Sequence, residues 1–454
     1  MASQRTVVVL GASYGGNHAA RILSQSLPQD WRVILIDRNS HMNHLYVLPR
    51  MATLPQHAHK AFIPYTNILT NDESSPRHLF LNAQITSLSE HSLTLSKSFP
   101  EYGIVGAEGE PATLHFDYAV YALGSHLPSP INLWGPVCEN DEGKAHDGSK
   151  ASGIRWLERF REYLNATRSV LVVGGGALGI QYASDIKDVF PSMHVTLLHS
   201  RSQLLPRFDS DMHEEILSTL TGMGIDVILG ERLDLASPPK ETMSEDDVPE
   251  RIVRTQSGRE IQAGLVLLCT GQTPNTALMQ SVVPGSIVSE GPAKGSIGVK
   301  RTMQVGVPRP HDVDSLPLST SSSGDSPEQD EFDGEFDGEE SFDVPYPHLF
   351  AIGDAADAFG AINAGHTAYY QADVAANNIL KLVAAEHDGT PLDSVELEEY
   401  HPGEPAIKVS LGLHKSLYQV QGVVGTKTDV TEDLDAPLMW KMYGIEPTEE
   451  GMQL

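Results

Sequence analysis

Cysteine is almost absent from this chain of 454 residues: Cys138 and Cys269 are the only two. They are far apart and in no Cys-x-x-Cys arrangement, which excludes a dithiol relay of that kind and a structural zinc site. No metal is expected, and the plain reading of each lone thiol is structural. Any redox chemistry must then come from a bound cofactor. Basic residues are also scarce: 31 Lys and Arg face 60 Asp and Glu, a formal net charge of -29. That balance argues against nucleic acid as a partner, because phosphates attract cations. Long apolar runs are missing too. None reaches the roughly 18 to 20 residues of a membrane span, and the longest, Thr6–Leu10 and Ser169–Val173, have the length of buried strands. The chain begins Met-Ala-Ser-Gln and enters a strand at once, so neither a signal peptide nor N-myristoylation is expected. With 40% hydrophobic residues and a mean hydropathy of -0.21, the expectation is a cytoplasmic protein, with mitochondrial or peripheral membrane association left open.

What the chain does have is glycine in a repeated setting. Arg5–Leu10 reads as a buried strand, Asn17–Ser26 as a helix and Trp31–Ile36 as a second strand, with Gly11-Ala12-Ser13-Tyr14-Gly15-Gly16 between the first two. About 160 residues later the pattern returns. Ser169–Val173 is a strand, Gly174-Gly175-Gly176-Ala177-Leu178-Gly179 a turn, Ile180–Val189 a helix and His194–Leu198 a strand. Each unit is followed by a strand ending in small residues, Asp117–Ser125 after the first and Gly264–Asn275 after the second. Two β-α-β units with glycine turns point to two dinucleotide sites on one chain.

The chemistry needs those residues at those places. In a G-x-G-x-x-G turn the first glycine makes the tight turn, the second lets the pyrophosphate approach the backbone, and the third packs helix on strand. The helix N-terminus then presents free N–H groups to the anion. In the first turn Ser13 replaces the second glycine, small enough for close approach and able to donate a hydroxyl. Gly11, Ser13, Tyr14, Gly15 and Gly16 are therefore candidate cofactor residues, as are Asp37 for a ribose and its neighbour Arg38, with Ala122 and Gly124 on the returning strand. The second turn keeps Gly174, Gly176 and Gly179. After its second strand comes His199-Ser200-Arg201, with Arg207 nearby, where an acid would favour NAD; Arg201 can pair with a 2′-phosphate, so NADPH is expected to be accepted at least as well as NADH. Gly271 closes the second site. A third signal, Leu349–Asp357, ends a short strand in Gly353-Asp354, with a helix over His366–Leu380. Asp354 suits a ribityl hydroxyl, although capping the next helix is the simpler role.

Gly306–Val344 differs in kind. It has serine runs, the near-repeat Glu331–Gly338, and about a dozen carboxylates against one arginine. It reads as a disordered acidic surface insertion, and Glu241–Pro249 as a shorter solvated loop. The expected organisation is a first dinucleotide domain over 1–128 and 276–395, interrupted by 306–344; a second dinucleotide domain over 150–275; and a C-terminal interface segment over 396–454. The cluster Leu438, Met439, Trp440, Met442 and Tyr443 suits a packed or homodimer-facing helix, with a peripheral membrane contact the other option.

The order Gly11–Gly16, Ala122–Ser125, Gly174–Gly179, Thr270–Asn275 and Ile352–Asp357 resembles the pyridine-nucleotide-disulfide oxidoreductase superfamily over about residues 5 to 415. The phrase Val195–Arg201, the lack of a cysteine pair, Tyr369–Leu380 and the ending Ile407–Leu413 are most similar to its apoptosis-inducing-factor-like (ferroptosis-suppressor) branch, in a fungal form. The resemblance implies an α/β fold of two Rossmann-like, glutathione-reductase-like domains. It further implies FAD as cofactor, NAD(P)H as reductant and a quinone-like small-molecule acceptor. The chain departs from the family at Ser13, at Gln181 where many members carry glutamate, and at Asn363 where this branch often carries lysine. Asn363 and His366 are the candidate side chains near the flavin. Two other expectations are a flavin enzyme tailoring a secondary metabolite, and a redox-gated interaction protein acting through the acidic insertion.

Overall fold

The computed structural model describes residues 4–70, 77–107, 110–138, 141, 143, 145–244, 248–309 and 342–453. Two parallel sheets organise it. The first contains β1 (Arg5–Leu10), β2 (Trp31–Asp37), β3 (Leu79–Asn82), β4 (Tyr118–Tyr121) and β9 (Leu349–Ala351), in the order β9-β4-β1-β2-β3. The second contains β5 (Ser169–Val173), β6 (His194–His199), β7 (Asp226–Leu229) and β8 (Leu265–Leu268), in the order β7-β6-β5-β8. Continuous apolar strands such as Val7-Val8-Val9-Leu10, all fully buried, form this kind of sheet because both faces are covered. Each such side chain contributes about 1.5–3 kcal/mol by leaving water, so a carboxylate at Val8 would break the layer.

In each sheet the glycine turn follows the central strand and leads into a helix. These helices are α1 (Tyr14–Ser26) after β1 and α2 (Ala177–Val189) after β5. Both start three residues earlier than the sequence reading placed them, because the turn glycines themselves enter the first helical turn. The long helix α3 (Gly365–Asp388) lies along α1 and stops at Gly389 in a left-handed conformation, φ +71°, the ordinary C-terminal stop. Gly15 lets the two helices approach, since a β-carbon there would sit 3.0 Å from the Ala368 carbonyl.

Two large apolar clusters underlie the sheets. Val47, Met51, Ala52, Ala58 and Phe62, expected with the first sheet, pack into the second cluster. Beside them lies a fully buried ion pair in which Arg50 Nη2 meets Asp185 Oδ1 of α2 at 2.9 Å. The C-terminal region forms a three-stranded antiparallel sheet, Ile407–Ser410, Ser416–Val420 and Val423–Lys427, then α4 (Ala436–Met442). It serves both clusters: Val409 and Leu417 enter the second, Trp440 and Tyr443 the first.

Two loop expectations need correction. Val307–Pro308 and Phe342–Asp343 pair as antiparallel strands, so both ends of the acidic insertion are ordered. Apolar Val307 packs against Gly285, and Phe342 against Gly306. Residues 310–341 lie outside the described residues. Similarly, Lys240–Met243 pairs with Pro249–Ile252 in a hairpin, where a solvated loop was expected. Alternation of exposed and half-buried residues suffices for an edge strand there. Among the described residues no helix is long and apolar enough to cross a membrane.

Candidate dinucleotide sites

The two glycine turns are built alike at their first and last glycines. Gly11 (φ +99°) and Gly174 (φ +120°) occupy backbone conformations that side chains rarely adopt, and a β-carbon on them would sit 2.3 Å from the Ala122 carbonyl oxygen and 2.2 Å from the Cys269 carbonyl oxygen. Gly16 and Gly179 repeat the match: their β-carbons would sit 1.8 and 1.9 Å from the carbonyl oxygens of Gly11 and Gly174. These four glycines are fixed by the chain's own packing. Gly176, Gly124 and Gly271 are different, with nothing within 4 Å of a β-carbon. Gly176 caps α2 with an ordinary φ of -84°, so its missing side chain leaves open space at a helix N-terminus. Ser13 caps α1 without making a side-chain capping bond, which leaves its hydroxyl available to a ligand.

Around the first turn, Asp37 ends β2. Its Oδ2 accepts from the Ala12 N–H at 2.7 Å, and its Oδ1 from the N–H of Asn39 at 2.7 Å and its Nδ2 at 3.0 Å. A carboxylate has about four lone-pair positions, so one more donor can be accepted. Burial pushes the Asp37 carboxyl up, while the Ala12 and Asn39 donors pull it partly back. The Arg38 guanidinium lies 4.1 Å over the Trp134 ring, which meets His146 edge-on at 4.8 Å. Asn39 Oδ1, Trp134 Nε1 and His146 Nε2 are buried with no hydrogen-bond partner. Polar atoms left this way are costly unless a ligand or water completes them. The Asp37 end thus offers one remaining acceptor position, the contact a ribose hydroxyl would take, beside the stacked Arg38 and Trp134.

Gly353 (φ +71°) donates its N–H to Gln371 Oε1 at 2.7 Å. Next to it, Asp354 lies 2.9 Å from the Ser125 hydroxyl, which also lies 2.6 Å from Gln272 Oε1. Burial pushes the Asp354 carboxyl up and the Ser125 hydroxyl opposes this. Asp354 precedes the long helix by eleven positions and does not cap it: α3 is capped by Ala364, without a side-chain bond. The first N–H of α3, at Gly365, donates to the Tyr46 hydroxyl at 2.5 Å. Tyr14 turns inward, its ring edge-on to Tyr46 at 5.6 Å and its hydroxyl 3.0 Å from His44 Nδ1. Its side chain is a spacer between α1 and α3, so only its backbone faces the turn. Burial pushes the His44 imidazole down to about 4 and holds it neutral.

The remaining candidates divide. Asn363 is exposed in the loop before α3. His366 faces away from the turn, into a cavity between α1, α3 and the C-terminal segment, and burial lowers its pKa. Arg201 is exposed just beyond β6, its carbonyl accepting from Gly230. Arg207 is not beside it in function: its Nη2 donates to the Gly360 carbonyl at 2.5 Å, linking the second sheet to the loop before α3. Gln181 is held by Ser410 at 3.1 Å. Burial raises the Cys269 thiol far above the ordinary range, which leaves it a small apolar group. Among the described residues no group of His, Cys, Asp and Glu is placed to hold a metal. Sequence reasoning missed Tyr46, Gln371, Trp134 and His146, each brought in by tertiary packing; only the buried Gln371 inside a long helix carried a signal.

The comparisons with known proteins agree with this geometry. The family model described as pyridine nucleotide-disulphide oxidoreductase matches residues 5–309. Fe-regulated protein 8 of Mycosarcoma maydis is 40% identical, over 97% of this chain and 96% of its own. Ferroptosis suppressor protein 1 of Homo sapiens is 24% identical over 97% and 96%, and apoptosis-inducing factor homolog B of Dictyostelium discoideum 22% over 92% and 90%. In fold, NDH2 from Plasmodium falciparum in complex with NADH superposes with a TM-score of 0.63 at 12% identity, over 99% of this chain and 96% of that one. The chain belongs to the pyridine nucleotide-disulphide oxidoreductase family, in its apoptosis-inducing-factor-like branch, and is an NAD(P)H-dependent flavin oxidoreductase with FAD and NAD(P)H as its cofactors.

Proposed function

We propose that the protein moves reducing equivalents from NAD(P)H through FAD to a quinone-like small-molecule acceptor. The observation that carries this reading is the matched pair of glycine turns, each at the carboxyl end of the central strand of its own parallel sheet, where open α/β sheets bind their ligands. FAD belongs to the first turn. Gly11 and Gly16 fix its shape, Gly15 lets α3 approach, the helix N-terminus and Ser13 face the pyrophosphate, and Asp37 takes a ribose hydroxyl in its last acceptor position. Arg38, Trp134 and His146 close the adenine end. Asp354, supported by Ser125, takes a ribityl hydroxyl, and the start of α3 presents its positive end to the ring. Bound there, the flavin supplies the two-electron chemistry that no side chain of this protein can.

NAD(P)H belongs to the second turn, where Gly176 leaves room for its pyrophosphate and Gly174 and Gly179 fix the shape. Arg201 stands where the ribose 2′ position falls in such folds, with no acid beside it in sequence, which favours acceptance of NADPH. Arg207 on Gly360 and Gln181 on Ser410 hold the second sheet against the loop before α3 and the C-terminal strands, orienting the two sites. The quinone-like acceptor is supported by the resemblance to ferroptosis suppressor protein 1 along nearly the whole chain.

The test is an absorbance spectrum of the purified protein, then anaerobic titration with NADH and NADPH, then turnover with short-chain quinones. Flavin bands that bleach with either nucleotide and recover on adding quinone are the expected result. A flavin that bleaches and does not recover with any quinone would reject the acceptor while keeping the reductive half.

A further inference from the structure

The chain leaves the first sheet after β4, at Tyr121, and comes back from the second after β8, at Leu268. Both departures are at the carboxyl ends of parallel strands, the end where such sheets bind ligands. Beyond them the two crossings are bonded to each other: Ser125–His126 pairs with Thr273–Pro274 as an antiparallel ribbon. Each crossing contains a glycine at positive φ, Gly124 at +62° and Gly271 at +131°, and neither is hemmed in by packing. Glycine alone would leave these crossings pliable. The ribbon also adjoins both dinucleotide sites. Ser125 Oγ lies 2.9 Å from Asp354 Oδ2, and Gln272, whose Oε1 is 2.6 Å from the same hydroxyl, follows Gly271.

One residue binds this ribbon with each of its polar atoms. The Asn275 N–H donates to the Gly124 carbonyl at 2.9 Å, and its own carbonyl accepts from the Tyr121 hydroxyl at 2.6 Å. Its Nδ2 donates to the Leu123 carbonyl at 2.9 Å, and its Oδ1 accepts from His126 Nδ1 at 2.8 Å. The amide cannot be turned over, because its oxygen would then face the Leu123 carbonyl. Any residue at this position could keep the two backbone bonds. The two side-chain bonds need an amide, and they bracket Gly124, the pliable point of the outgoing crossing.

We propose that Asn275 is a positioning residue for transfer between the two bound nucleotides: its amide, with His126, sets how the second site faces the first. The proposal rests on the placement of both nucleotides at the glycine turns. Asn275 acts through the ribbon, so its loss should leave the affinity of each site in place and change only how the two sites meet. Geometry of that kind matters because hydride transfer needs its reacting atoms in near contact.

The experiment compares wild type, Asn275→Ala, His126→Ala and the double variant as purified holoproteins. NADP+ is titrated into the oxidised proteins, with affinity read by equilibrium dialysis and the approach of the two rings by the perturbation of the flavin absorbance band. Rapid mixing with saturating NADPH then gives the limiting rate of flavin reduction. For Asn275→Ala the dissociation constant should stay within about twofold of wild type. Its band perturbation should shrink, and its limiting rate should fall about ten- to a hundredfold, the cost of misplacement by about 1 Å. His126→Ala should move both readouts in the same direction, and the double variant should fall no further than Asn275→Ala, since the two residues share one bond. His126 is exposed, so its variant tests the same bond even if Asn275→Ala fails to fold. Wild-type perturbations and rates in the variants would overturn the proposal. So would a dissociation constant that rises at an unchanged limiting rate, which would make Asn275 a binding residue instead. Wild-type flavin that NADPH fails to bleach would strike the oxidoreductase reading, and the band perturbation would still decide the role of Asn275.

Discussion

Gly176→Ala is the sharpest test of the second nucleotide site, because its glycine has no structural reason to be one. The φ of -84° suits any residue, and a β-carbon would meet nothing within 4 Å. The folded protein should therefore tolerate alanine, with a melting temperature equal to or slightly above wild type, since alanine costs less unfolded-state entropy. The methyl group would instead enter the space where a pyrophosphate must touch backbone. Intrusion of one methyl into a close-packed contact costs about 1–3 kcal/mol, or about 5- to 150-fold in affinity. Gly174→Ala makes the contrast: its φ of +120° and the Cys269 carbonyl 2.2 Å from the new carbon strain the fold itself. The assay is anaerobic titration with NADH and NADPH, read at the flavin band, beside a thermal melt. Gly176→Ala should keep full flavin and shift the titration by about tenfold; Gly174→Ala should lose stability as well. A Gly176→Ala protein that titrates like wild type would refute the placement of the nucleotide at this turn.

Three further outcomes are expected. Asp354→Ala should lower FAD occupancy of the purified protein, read as the ratio of flavin to protein absorbance; full occupancy would show that Asp354 serves only the local Ser125 network. Arg201→Glu should raise the apparent KM for NADPH about tenfold or more while moving that for NADH little, from loss of a charge-assisted pair; equal shifts for both nucleotides would remove Arg201 from the ribose. Arg50→Met should destabilise by about 3–5 kcal/mol at pH 8, because it leaves Asp185 buried and unpaired. The Asp185 carboxyl is already raised by burial, against the opposing pull of Arg50. A raised carboxyl stabilises the fold below its unfolded pKa and loses that contribution as pH climbs through the folded one. Removing Arg50 lifts it further, so the deficit should shrink toward pH 5. Denaturation at both pH values, with Arg50→Met/Asp185→Leu partly restored, checks this; a deficit that does not change with pH would contradict it.

The sheets were legible because their strands are short, continuous apolar runs bounded by glycine. Arg5–Leu10 and Ser169–Val173 have the bounds the pattern indicates. The turns were legible for the same reason: a strand, a tight glycine turn and a helix leave few sequences that fit. Side chains that complete the site were not. Trp134 and His146 reach the Asp37 end from a stretch with no periodicity, and Tyr46 reaches α3 across more than three hundred positions. Nothing local marks such residues, since their placement depends on how the sheet and its helices close. The helix starts were read late because glycine's low helix propensity hid the first turn, although that turn is where the function lies. The packing of Val47, Met51 and Phe62 into the second cluster was equally hidden, since the buried Arg50–Asp185 pair beside them joins positions 135 apart.

That pair also bears on why the C-terminal strands and helix exist. Arg50 reaches three parts of the chain at once: Asp185 on α2, the Gly412 carbonyl at 2.6 Å and the Glu432 carbonyl at 3.2 Å. From the other side, the Trp440 indole donates to the Lys60 carbonyl at 3.0 Å, and the Lys60 ammonium meets Asp433 at 2.9 Å. The C-terminal segment is thus bonded to α2, the helix of the second glycine turn, and to the segment that follows the first β-α-β unit. Direct transfer between two bound cofactors needs reacting atoms about 3–3.5 Å apart, and two sheets joined only by flexible crossings would not hold that spacing. A segment that enters both apolar clusters and is bonded to Arg50 and Lys60 is a stiffer connection than such crossings. One short stretch thus joins the helix after the second glycine turn to the segment that follows the first β-α-β unit.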